Sequence, residues 1–85
     1  MKKENLNIKD FRKYYLSEYQ IFDGEVFIVF NIVSINIEKE EITVAVSNRG
    51  KISVVTYDLL TNSNGFYFEY GVNFEKINLN DFEEV

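Results

Sequence analysis

Histidine, cysteine, proline and tryptophan are all missing from the 85 residues of this chain. Their absence removes the usual general base, the thiol nucleophile, disulfides and zinc sites built on Cys or His. Carboxylates, hydroxyls and amines are all that remain for chemistry. Long hydrophobic runs are missing as well: the longest, Val26 to Phe30, is far short of the ~20 residues that span a bilayer and reads as a buried strand. No apolar segment follows Met1-Lys2-Lys3, so no signal peptide and no membrane partner are expected, and the cytoplasm is the default compartment.

Phosphate-cradling loops are absent too. Neither G-x-x-x-x-G-K-[ST] nor G-x-G-x-x-G occurs, and the four glycines fall at turns or within a strand. No segment has the Asp-x-Asp-x-Asp-Gly spacing of a calcium loop. A metal site from Asp58, Glu69 and Glu75 can be drawn on paper, yet Glu69 and Glu75 are expected to face solvent, where carboxylates keep ordinary pKa values. The expectation is a protein that is not an enzyme and takes no cofactor or metal.

What is present is apolar and acidic. Hydrophobic residues make up 46% of the chain and aromatics 16%, enough for a small core in a single domain over residues 1–85. Fourteen acidic residues against nine basic give a net charge of −5, which argues against a general phosphate-binding surface and so against direct nucleic-acid binding. Residues 1–20 carry a net +2, so residues 21–85 hold −7.

Along the chain, Asn7-Ile8-Lys9-Asp10 resembles a helix N-cap with a carboxylate three residues on. Ile8, Phe11, Tyr15, Tyr19 and Phe22 then recur at helical spacing, and Asp23-Gly24 stops the element. Val26 to Ile37 is rich in β-branched residues, with a β-bulge expected where Ile32 and Val33 stand side by side. Glu38-Lys39-Glu40-Glu41 makes a hairpin loop, Ile42 to Ser47 alternates, Asn48-Arg49-Gly50 turns, and Lys51 to Tyr57 follows as the next strand. Asp58 to Asn64 reads as a loop with Leu59 and Leu60 tucked under the core edge. Phe66, Phe68, Tyr70, Val72 and Phe74 then fall on every second position of one long strand, with a break at Gly71 as the alternative. A turn near Asn80 to Glu84 closes the chain. The expected architecture is α+β: one N-terminal helix packed on a four- to five-stranded antiparallel, largely meander sheet.

Three surfaces follow from that expectation. Asn64-Gly65-Phe66-Tyr67-Phe68-Glu69-Tyr70 resembles in outline the aromatic strand of RNA-recognition motifs, which implies a nucleic-acid module. It departs from that pattern where the chemistry resides, with Asn64 at the basic position, Tyr67 at the small one and Glu69 set to repel phosphate. The face opposite the helix is expected to carry Tyr57, Tyr67, Glu69, Asn73 and Glu75, a mix of tyrosines and carboxylates suited to a protein partner or to a homodimer. Glu38, Glu40 and Glu41 add a spaced acidic hairpin, which would be drawn to the basic site of a host protein such as a nucleic-acid enzyme. The resulting expectation is a small protein-binding module of the phage or mobile-element inhibitor kind (anti-CRISPR, anti-restriction or DNA mimic), with a toxin-immunity protein or a nucleic-acid module as alternatives. For any single carboxylate, ordinary solubility charge explains the residue equally well.

Overall fold

The computed structural model describes residues 17–22 and 24–84. Eight antiparallel strands dominate them: β1 Ser17–Phe22, β2 Phe27–Asn36, β3 Glu41–Asn48, β4 Lys51–Asp58, β5 Leu60–Asn62, β6 Gly65–Tyr70, β7 Glu75–Asn78 and β8 Glu83–Glu84. A 3-10 turn at Leu79–Asp81 links β7 to β8. The strands form two sheets, one of five in the order β4-β3-β2-β1-β8 and one of three in the order β5-β6-β7. The first four strands run as a meander, and the chain returns through β8 to cover the β1 edge.

This overturns the α+β expectation, since no helix of seven or more residues occurs among the described residues. The first half of the expected helix, including its Asn7–Asp10 cap, lies outside the described residues. Its second half is strand β1, paired with β2 from Glu18↔Asn31 to Phe22↔Phe27. The physical reason is visible in the side chains. Tyr19 and Ile21 alternate with Glu18, Gln20 and Phe22, so the period-2 reading of this stretch competes with the period-3.6 one, and an adjacent strand edge decides for the former.

The expected bulge is present: the β2–β3 register shifts between Ile32 and Ser34. Val33 is thereby displaced outward, and the alternation restarts with Ile35 facing the core. The long last strand is instead a hairpin. Gly71 adopts φ 78° and Phe74 φ 52°, the Phe74 N–H donates to the Gly71 carbonyl at 3.1 Å, and β7 folds back on β6 with Phe68 opposite Ile77. Val72 and Phe74, expected in the core, therefore lie at the tip, 91% and 67% exposed.

The core sits between the sheets. Ile28, Phe30 and Ile32 from β2, Ile42, Val44 and Val46 from β3, and Phe68 and Ile77 from the smaller sheet are all buried, with Leu59, Leu79 and Phe82 closing its ends. Phe30 anchors it, meeting Phe68 and Tyr70 edge-on at 5.9 and 4.9 Å between ring centroids and stacking near Tyr19 at 6.3 Å. Edge-on contacts of this kind add to the burial of the rings because positive edges meet negative faces.

Candidate functional site

Strand alternation gives the five-stranded sheet a second face that no described element covers. Strand pairing sets which residues lie side by side on it. Phe22 pairs with Phe27; Val29 pairs with Ser47, which pairs with Ile52; Asn31 pairs with Ala45, which pairs with Val54. The result is an apolar stripe, in which Phe22 and Phe27 are 59% and 58% exposed and Ile52 and Val54 are 72% and 65% exposed. The Phe22 and Phe27 rings touch, with centroids 5.1 Å apart. Next to the stripe runs a hydroxyl row, in which the Thr43 and Thr56 Oγ1 atoms hydrogen-bond at 2.9 Å. Beyond it lies a polar row of Asn36, Glu41 and Asp58, and at the β1 side Glu18 stands opposite Glu83. An apolar centre with a carboxylate rim is thus written into one face.

The β4 phase is what places this stripe. Arg49 and Gly50 both have positive φ, 55° and 81°, the signature of a two-residue type I′ turn. Asn48 is therefore opposite Lys51 and Ser47 opposite Ile52, which turns Ile52, Val54 and Thr56 outward and Ser53, Val55 and Tyr57 inward. The expected open face had the reverse assignment for this strand. Turn length, not hydrophobicity, decided it, and the two-residue Arg49-Gly50 spacing is the signal that could have revealed it.

The expected site residues are consequently scattered. Tyr57 belongs to the interior, its ring stacked on Phe68 at 4.9 Å, and so cannot share a surface with Tyr67. Tyr67 lies on the other side of the smaller sheet, under the Lys76 ammonium at 5.4 Å. Glu69 stands opposite Lys76 in the β6–β7 register. Asn73 is at the exposed hairpin tip and Glu75 begins β7. Glu38 and Glu40 are exposed in the β2–β3 turn, held by Lys39 N–H donating to Asn36 Oδ1 at 3.0 Å and by Leu59 N–H donating to the Glu40 carbonyl at 2.8 Å. Of these residues only Glu41, half-buried on the outer face, joins the apolar stripe, as part of its rim. The aromatic strand expected to stack bases turns Phe68 wholly inward.

Open grooves lie beside the core among the described residues. One, of 390 Å³, is lined by Glu18, Tyr19, Gln20, Asp81 and Glu83; β1–β8 pairing brings together carboxylates that are far apart in sequence. Another, of 330 Å³, lies along the inner side of β4 between Lys51, Ser53, Tyr57 and Tyr70, beside Asn48, whose Oδ1 is buried without a hydrogen-bond partner. Among the described residues no group of three or more carboxylates is arranged to hold a metal ion.

Two tyrosines feel these surroundings. Burial raises the Tyr19 pKa above 10.0, reinforced by the negative charges of Asp81 and Glu75. Burial also raises Tyr57, with Tyr70 adding to the effect. A phenol whose folded pKa lies above its unfolded value favours the fold fully below that unfolded value and loses the advantage as pH rises through the folded one. Thermal stability is therefore expected to hold up to about pH 10 and to fall above it, while phenolate absorbance shows part of the six tyrosines ionising late. Simultaneous ionisation of all six at the ordinary value, with no loss of stability, would contradict this.

No protein-family model, curated protein or solved structure matches this chain. The expectation of a phage inhibitor of the anti-CRISPR kind finds no support there and is set aside. No helix among the described residues is long and apolar enough to cross a membrane.

Proposed function

We propose that this protein is a non-enzymatic protein-binding module whose contact surface is the outer face of the five-stranded sheet. The observation that carries the reading is the set of exposed apolar side chains, Phe22 on β1, Phe27 on β2 and Ile52 and Val54 on β4, that share the outer face of one sheet. Single exposed apolar side chains are ordinary on protein surfaces, but a contiguous patch with a polar border has the anatomy of an interface. The rim supplies the chemistry of choice. Glu41 and Asp58 on one side and Glu18 and Glu83 on the other favour a partner that is apolar in its centre and basic at its border.

Replacing Phe22 and Phe27 together by Asp tests this without touching the core, because both rings are more than half exposed. Affinity capture from the source cell with wild-type bait is expected to retain partners that the double variant loses at least about tenfold, as befits aromatic residues at an interface centre. Identical capture by both baits would refute the assignment of this face.

A further inference from the structure

The two sheets have four edges, and three are short: β8 has two residues, β5 three and β7 four. The fourth, β4, has eight, Lys51–Asp58, and among the described residues it pairs only with β3. Natural proteins guard such an edge with charges, proline or a bulge. Here the six residues from Ile52 to Tyr57 are uncharged, the chain has no proline, and the β3–β4 register is unbroken.

The turn also settles which backbone groups point outward. A two-residue hairpin makes its flanking pair, Asn48 and Lys51, a hydrogen-bonded one, and hydrogen-bonded pairs then recur at every second residue. Ser53, Val55 and Tyr57 thus spend their N–H and C=O groups on β3, whereas Ile52, Val54, Thr56 and Asp58 direct theirs away from the sheet.

The edge is electrically polarised as well. Arg49 and Lys51 stand at its start, Arg49 also pairing with Glu25 at 3.4 Å. Asp58 stands at its end, opposite Glu41 on β3 and close in sequence to the Leu59 N–H that ties the Glu40 loop to this end. A second copy approaching antiparallel along a two-fold axis brings the basic end of each strand to the acidic end of the other. A parallel approach sets like charges together.

We infer that β4 is a self-pairing edge, and that two copies join through it into one continuous ten-stranded antiparallel sheet. This rests on reading the outer face as an interface, and it deepens that reading by naming a second copy as the partner at β4. A two-fold axis perpendicular to the sheet keeps outer face with outer face, so the outward-facing, even-numbered residues of β4 meet only even-numbered ones. Centred on Val54, the pairing sets Val54 against Val54 of the second copy and Ile52 against Thr56. Their outward N–H and C=O groups then satisfy one another, and the two apolar stripes merge across the axis. Two strands of this length bury less than the ~1,200 Å² of a standard interface, so the association is a weak one, dependent on concentration.

Sedimentation equilibrium over a range of concentrations tests the inference. Wild type is expected to move from monomer to dimer in the micromolar to millimolar range; a monomer throughout overturns the proposal. Val54→Pro removes only an outward N–H and is expected to abolish the dimer while retaining the wild-type circular dichroism spectrum. Val54→Lys, which sets two ammonium groups face to face, does the same without altering the backbone. A dimer that survives both variants overturns the edge assignment. Lys51→Glu is expected to weaken association at least about tenfold, and adding Asp58→Lys on the same chain to restore it, since reversed polarity is again complementary. The Phe22→Asp, Phe27→Asp double variant lies away from β4 and is expected to dimerise as wild type does. Loss of partner capture with an intact dimer therefore reports on the face, and loss of the dimer with intact capture reports on the edge.

Discussion

Phe30→Ala is expected to destabilise the protein by about 3–5 kcal/mol, in the range found when a buried aromatic is truncated and its neighbours cannot collapse into the space. Collapse is difficult here because Phe30 is fully buried and its ring neighbours come from two other strands in different sheets. Tyr19 is held by β1, and Phe68 and Tyr70 by β6, each ring fixed by its own strand ladder. A domain of this size has a total stability of roughly 4–13 kcal/mol, so the variant would keep a marginal fold at best. Urea denaturation of the two proteins measures the loss directly. A change below about 1 kcal/mol would show that the two sheets do not share this ring as their common anchor.

Val55→Pro should be nearly as damaging, and for a different reason. Val55 stands opposite Val44 in a hydrogen-bonded pair, so proline deletes a ladder bond and sets its ring against β3, at a cost of about 3 kcal/mol or more. Val54→Pro, one residue away, removes an N–H that points out of the sheet and is expected to cost much less. Thermal unfolding of the two variants compares them. Equal losses would mean that the Arg49-Gly50 turn does not set the hydrogen-bonding phase of β4, and the outward orientation of Ile52 and Val54 would fall with it.

Much of the β-structure was legible from residues alone. β2, β3 and β4 follow from β-branched alternation, the Val33 bulge from two adjacent apolar residues that alternation cannot accommodate, and a turn at Asn48-Arg49-Gly50 from its glycine, though not its two-residue length. Leu59 was legible as a residue tucked under the core. What misled was periodicity read without its competitor. Ile8, Phe11, Tyr15 and Tyr19 satisfy a helical stripe, but Ser17 to Phe22 satisfies a strand equally well, and local spacing contains no term for the partner strand that makes the second choice favourable. The same omission hid the β6–β7 hairpin. Phe66 to Phe74 alternates perfectly, yet Gly71 permits the chain to reverse, and pairing Phe68 with Ile77 buries both more completely than a single extended strand would.

The candidate site shows the division most sharply. The acidic balance, the lack of His and Cys, and the supply of exposed-capable apolar residues are facts of composition, and they direct attention to binding surfaces over catalytic ones. Which residues share a surface is a matter of register, and register is set by turn length and by long-range pairing. Tyr57 and Tyr67, neighbours in the sequence-based picture, end on different sides of the protein, while Phe22 and Val54, far apart in the chain, share a face. Sequence by itself determined strands β2, β3 and β4 and the kinds of chemistry open to this protein, because both depend on residue type and nearest neighbours. Only the tertiary structure decided which face is apolar and which edge is open, because a one-residue change of register exchanges the two faces of a strand while leaving its composition unchanged.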